Sequence, residues 1–197
     1  LVVNKPVGIS MTSNSRISLA NYITYIFKDK NIKSKVRYFN RLDRDTSGIV
    51  IVFKNKFIQG IFENEKIKKN IEKEYTGIVK GELKNKGIVE KPIIRKYIKS
   101  EINDNGKESK TEFIPLKINK GLTLVKFILY TGRTHQIRLH MSSIGYPLLG
   151  DKLYGEEDKL YSTYFLHCSK YKIYDRREDC FKEITSKLGK NYSIIME

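Results

Sequence analysis

The chain has 197 residues, 40% hydrophobic and 30% charged, which excludes a disordered polymer and allows one domain with a sizeable core. No apolar run approaches the roughly 20 residues of a membrane helix, and the start lacks the basic-then-apolar layout of a signal peptide. Lys and Arg number 38 against 22 Asp and Glu, a formal charge of +16 that points to a polyanionic partner, nucleic acid ahead of membrane.

Two cysteines, Cys168 and Cys180, form neither a metal-ligand spacing nor a disulfide framework, so a reducing cytoplasm is the expected setting. We expect a single domain over residues 1–197. The start at Leu1, running at once into Val2-Val3, suggests a piece of a longer protein.

In chain order, an initial strand meets a turn at Asn4-Lys5-Pro6-Val7-Gly8, where Pro and Gly punctuate. Ile17, Ala20, Ile23 and Phe27 recur at three- and four-residue spacing and predict a helix over residues 15–28. A basic, turn-rich stretch follows to Asn40. Residues 40–48 then pack two carboxylates, two guanidiniums, two hydroxyls and a glycine ahead of the β-branched run Ile49-Val50-Ile51-Val52-Phe53, a buried strand. On residue types alone, that loop is either a hydrated turn or the mount of a reactive side chain at the rim of a sheet.

Asn55 is placed to cap a helix whose buried side carries Phe57, Ile58, Ile61 and Phe62, with a solvated second half over residues 63–73. Residues 74–80 alternate as a strand, on which Tyr75 reads as a core or half-buried residue. Residues 81–87 read as a hairpin loop. Strands are expected over 88–98 and 109–118, joined by the turn Asn103-Asp104-Asn105-Gly106-Lys107, and then over 122–130. Thr134 is placed to cap a helix with Ile137, Met141 and Ile144 inward and Gly145 at its end. A late strand over 161–172 precedes a polar end with no assignment. The implied fold is α+β: a mixed, mainly antiparallel β-sheet core flanked by helices.

Asn40-Arg41-Leu42-Asp43-Arg44-Asp45-Thr46-Ser47-Gly48 resembles the His-Arg-Leu-Asp-x-x-Thr-Ser-Gly signature of the RluA-type pseudouridine synthases. Thr131-Gly132-Arg133-Thr134-His135-Gln136-Ile137-Arg138-Leu139-His140-Met141 is similar to the other long motif of that family. Gly145-Tyr146-Pro147-Leu148-Leu149-Gly150-Asp151-Lys152-Leu153-Tyr154-Gly155 resembles the segment after it. Shorter matches are Asn4-Lys5-Pro6-Val7-Gly8, Lys73-Glu74-Tyr75 and Leu166-His167-Cys168, all in the family's order.

The resemblance implies the pseudouridine synthase catalytic fold and an isomerase without metal or cofactor. Such an enzyme converts uridine to pseudouridine in ribosomal or transfer RNA, and we expect a monomer. It breaks the bond from uracil N1 to ribose C1′, turns the base and rejoins it through C5. One ionised carboxylate serves, either by adding to the substrate or by stabilising charge at C1′, while water is kept out. Motif position makes Asp43 that carboxylate rather than Asp45.

An enclosed carboxylate stays ionised only beside a cation, and the resemblance offers Arg138, whose planar fork suits bidentate pairing. Tyr75 would stack on the everted uracil with Leu166 behind it. Arg133 and the helix start at Thr134 suit a phosphate. Arg41, His135 and Lys5 complete the RNA-contacting set, Lys5 lying near the active site by its motif. His135 and His140, five apart and without a Cys or Glu partner, form no metal site.

Two departures stand out. Asn40 takes the place of the family's usual His, and Gly77 that of a usual Ala, an exchange expected to be harmless. The RNA-binding domain that often precedes the catalytic one does not appear in this stretch. The alternative from another class is a non-catalytic RNA-binding or RNA-chaperone module on the same fold; a metal-dependent nuclease lacks a ligand cluster and ranks last.

Overall fold

The computed structural model describes residues 1–63, 71–175 and 178–197. The chain opens with β1 (Val2–Lys5), α1 (Leu19–Asp29), β2 (Arg37–Tyr38), β3 (Ser47–Phe53) and α2 (Lys56–Glu63). Then come β4 (Glu72–Lys80), β5 (Gly87–Glu90), β6 (Ile93–Lys96), β7 (Lys99–Ile102), β8 (Lys110–Asn119) and β9 (Leu122–Leu129). Last are α3 (Gln136–Ser142), β10 (Leu166–Asp175), β11 (Cys180–Thr185) and α4 (Lys190–Met196). The fold is α+β with mainly antiparallel strand pairs, as the patterning predicts. No helix among the described residues is long and apolar enough to cross a membrane. The chain divides into two compact units, Leu1–Ile71 with Lys170–Ser186, and Glu72–Ser169 with Lys187–Glu197.

In the first unit, β3 is flanked by β1 and β2, both antiparallel to it. Ile49, Val50, Val52 and Phe53 are all buried, as an unbroken β-branched run requires. The carboxamide of Asn40 meets the same strand, donating to Ile49 O at 2.8 Å and accepting from Ile51 N at 2.9 Å. The aromatic rings of Phe39, Phe53, Phe62 and Tyr171 meet edge-on or tilted, at centroid distances of 5.5 to 5.9 Å.

The helices correct the sequence reading at their ends. α1 begins at Leu19, because the Asn21 carboxamide accepts from both Ser18 N and Ser18 Oγ and caps the helix there. Ile17, counted by periodicity as inward, lies ahead of it and is 71% exposed. Asn55 does cap α2, accepting from Ile58 N at 2.9 Å. Phe57 and Ile58 are nevertheless exposed, so only Ile61 and Phe62 turn inward. The solvated second half expected over residues 63–73 falls mostly on 64–70, outside the described residues.

In the second unit the strands run in the order β4-β9-β8-β5. Residues 81–87 are therefore not a hairpin loop: they carry the chain from β4 past two strands to β5. The strand expected over 88–98 is broken at Lys91-Pro92, and β6 pairs with β7 as a separate hairpin. The predicted turn at Asn103 does form, with Gly106 N donating to Asn103 O at 2.7 Å. β9 buries Thr123, Val125, Phe127 and Leu129 in strict alternation. The unassigned C-terminal end is α4, whose Tyr192 and Met196 pack with Ile78 and Leu149.

Candidate active site

The Asp43 loop is held from below by a buried lysine. Lys5, at the end of β1, is wholly buried and its Nζ donates to three carbonyls, Pro6 O at 2.9 Å, Ile9 O at 2.8 Å and Arg44 O at 2.8 Å. All three ammonium protons are thereby used. Burial pulls the Lys5 amine down to about 8, against the opposing pull of Asp45 and Asp43. Gly8 N donates to Arg44 O as well, and Thr46 N donates to Asp43 O, closing a turn over Arg44 and Asp45. Asp43 is half-buried between buried Leu42 and buried Thr46, whereas Arg41 and Arg44 are exposed. Asp45 is engaged two-fold by Arg44, at 3.1 and 3.2 Å.

In the second unit, Arg138 on α3 is buried and its fork is taken by Asp151: Nε donates to Oδ2 and Nη2 to Oδ1, each at 2.7 Å. Asp151 also accepts from Leu153 N and Tyr154 N. The guanidinium lies over two rings, 5.0 Å from the Tyr154 centroid and 4.2 Å from that of Tyr164. Tyr154 Oη accepts from Ser100 N at 2.7 Å and meets His135 Nδ1 at 2.8 Å, and burial pushes the phenol up. One charged group is thus dehydrated, paired and stacked at once.

α3 does not start at Thr134. His135 precedes it in the left-handed conformation, with φ 58° and ψ 21°, and the helix begins at Gln136. Thr134 is held outside, its carbonyl accepting from Ser100 Oγ at 2.9 Å and its hydroxyl from Arg95 Nη1 at 3.4 Å. Gln136 replaces the expected cap, its Oε1 accepting from Arg133 N and Thr131 Oγ1 and its Nε2 donating to Lys110 O and Thr111 Oγ1. Arg133 Nε donates to Glu108 O at 3.0 Å, which fixes the side chain against the loop before β8.

Tyr75 is buried on β4, opposite Phe127 of β9, and Leu166 is buried at the start of the neighbouring β10. At Gly77 a Cβ would stand 2.8 Å from Phe165 O, so the glycine permits close approach here and an alanine would not fit without a shift. His140 is wholly buried between Thr111 Oγ1 and Ser109 Oγ, each at 2.9 Å, and burial lowers its affinity for a proton. Among the described residues no group of three His, Cys, Asp or Glu could hold a metal ion.

The structure therefore gathers Lys5 with the Asp43 loop in the first unit, and Arg138 with His135, by way of Tyr154, in the second. Sequence reasoning missed Asp151, Tyr154, Tyr164 and Gln136. For Asp151 a signal existed: a lone acid closing the apolar run Pro147-Leu148-Leu149 must be paired if it is buried.

This fold is found among solved structures, two of them human proteins. Human RNA Pseudouridylate Synthase Domain Containing 1 matches with a TM-score of 0.79 at 23% identity, over 95% of this chain and 79% of that one. Human RNA Pseudouridylate Synthase Domain Containing 4 matches with a TM-score of 0.80 at 19% identity, over 98% and 86%. Residues 1–143 match the model of the RNA pseudouridylate synthase family, and the chain belongs to that family.

Among its relatives is the uncharacterized RNA pseudouridine synthase YhcT of Bacillus subtilis, 37% identical over 179 residues, covering 86% of this chain and 59% of that protein. The ribosomal large subunit pseudouridine synthase D of Buchnera aphidicola subsp. Schizaphis graminum is 38% identical over 164 residues, covering 80% and 52%. The chain thus spans little more than half the length of these relatives.

Proposed function

We propose that this chain isomerises uridine to pseudouridine in structured RNA, with Asp43 as the reacting carboxylate and neither metal nor cofactor. Ribosomal RNA is the leading substrate class, because a relative's name carries it. The observation that carries the reading is the Asp43 loop. It is braced by the three hydrogen bonds of a buried lysine, one of them to the carbonyl of Arg44, the residue after Asp43. A half-buried carboxylate on a fixed mount can stabilise positive charge developing at C1′ or add to the substrate as the nucleophile.

On this reading Tyr75 is the ring beneath the uracil, Leu166 its backing, and Arg138 the dehydrated cation. Arg41, Arg133, Thr134 and His135 contact the RNA backbone. The protein acts as a monomer in the cytoplasm.

The test is incubation with ribosomal and transfer RNA followed by mapping of new pseudouridines for wild type, Asp43→Asn and Asp45→Asn. The expected result is loss of product for Asp43→Asn alone. Equal product from Asp43→Asn and wild type would overturn the assignment. RNA binding without product in every variant would make the chain an RNA-binding module.

A further inference from the structure

We propose that the outward face of α1 and the loop before it form a second RNA-contact surface, separate from the Asp43 loop. It takes one or two unstacked bases on Tyr22 and Tyr25, and the flanking phosphates on Arg16 and the lysines that follow. The proposal rests on the RNA reading above.

Tyr22 and Tyr25 stand three apart on α1, on the side away from its buried residues Leu19, Ile23 and Phe27. They are 50% and 71% exposed, beside Ile17 at 71%. With Ser13, Ser15 and Arg16 they line a shallow groove of ≈ 660 Å³. Ser13 Oγ shapes its rim by accepting from Ser15 N and Arg16 N. Single exposed apolar residues need no explanation, but two rings and an isoleucine converging on one groove do.

Charge identifies the occupant. Residues 1–42 hold eight Lys and Arg against one acid, Asp29. Lys28, Lys30, Lys33 and Lys35 are exposed immediately after the tyrosines, and none of them, nor Arg16, has an ion pair among the described residues. Flat rings for stacking, hydroxyls and carboxamides between them, and cations alongside are the requirements of a single-stranded polyanion with aromatic bases. A lipid surface would need a broad apolar face, and here the apolar face of α1 is spent on the core. The groove also belongs to the same unit as Asp43: Tyr38 Oη donates to Met11 O at 2.9 Å, tying the loop before α1 to β2, from which the chain runs on to Asp43.

The experiment is fluorescence anisotropy with a labelled single-stranded oligoribonucleotide of about a dozen mixed nucleotides. Tyr22→Ala with Tyr25→Ala should weaken binding about tenfold with the salt dependence unchanged, and Tyr22→Phe with Tyr25→Phe should restore it to within about twofold. Arg16→Gln with Lys28→Gln should instead flatten the salt dependence. Unchanged affinity of the alanine pair overturns the proposal, as does a loss that phenylalanine fails to rescue. If the alanine pair loses only binding to phosphatidylserine vesicles, or only self-association in sedimentation, the surface belongs to lipid or to a second copy and the proposal falls.

Undiminished turnover by Asp43→Asn would refute the catalytic reading and leave the tyrosine result standing.

Discussion

Arg138 and Asp151 form a two-point ion pair with both side chains buried, each N–H···O contact 2.7 Å long. Neither residue can be removed singly without stranding the charge of the other. Asp151→Asn is therefore expected to cost about 3–5 kcal/mol, read as a lower urea midpoint. Arg138→Lys keeps the charge but loses the fork and the stacking over Tyr154 and Tyr164. It should retain most of the stability and still lower the rate of pseudouridine formation in single turnover.

Lys5 ties stability and turnover to pH in opposite directions. Its folded pKa of about 8 lies below the ordinary 10.5, so between these values the unfolded chain keeps a proton that the folded chain has released. Raising the pH through that window makes this group favour folding. The neutral amine, however, has two N–H groups for three carbonyls, and the tether under Asp43 slackens. Turnover should fall above pH about 8 while this group lowers no unfolding midpoint over the same range. Lys5→Met should abolish the alkaline fall and cost about 2–3 kcal/mol, checked by a pH–rate profile beside urea titrations.

Acid acts through His140. Burial holds its folded pKa below the ordinary 6.5, so its contribution is complete above that value and is lost as the pH falls toward the folded pKa. One group contributes at most about 1.4 kcal/mol per pH unit. Thermal melts between pH 7.5 and 5 should show this decline, and His140→Gln should flatten it.

Gly150 has φ +79°, and a Cβ there would stand 2.4 Å from Thr163 O. Gly150→Ala combines left-handed strain with a backbone clash and is expected to cost at least about 2 kcal/mol. Because Asp151 follows directly, the variant should also lower turnover, and it should do so in assays run well below its melting temperature.

Local chemistry was legible and long-range pairing was not. The buried run of β3, the alternation of β9, the cap at Asn55 and the turn at Asn103 each follow from a few adjacent residues. Periodicity misplaced the start of α1 because it counted Ile17, whereas the Ser18–Asn21 hydrogen bonds decide where the helix begins. It misplaced α3 because a left-handed histidine has no signature in residue types. The β6–β7 hairpin was hidden because β5 seeks β8, some twenty residues on, and only the fold reveals what lies between. At the candidate site the motifs pointed to Asp43, Tyr75 and Arg138, whereas the two-point pairing of Arg138 with Asp151, 13 residues later in a segment with no regular element, was not legible.

The carboxamide of Asn40 also sets the phase of everything downstream in its loop. By donating to Ile49 and accepting from Ile51 it behaves like one more rung beside β3, and rungs repeat every second residue. Inserting or deleting a single residue between positions 40 and 49 would leave that rung intact only by reshaping the loop that carries Asp43. The spacing of the loop is therefore as much a part of its chemistry as the acid it carries.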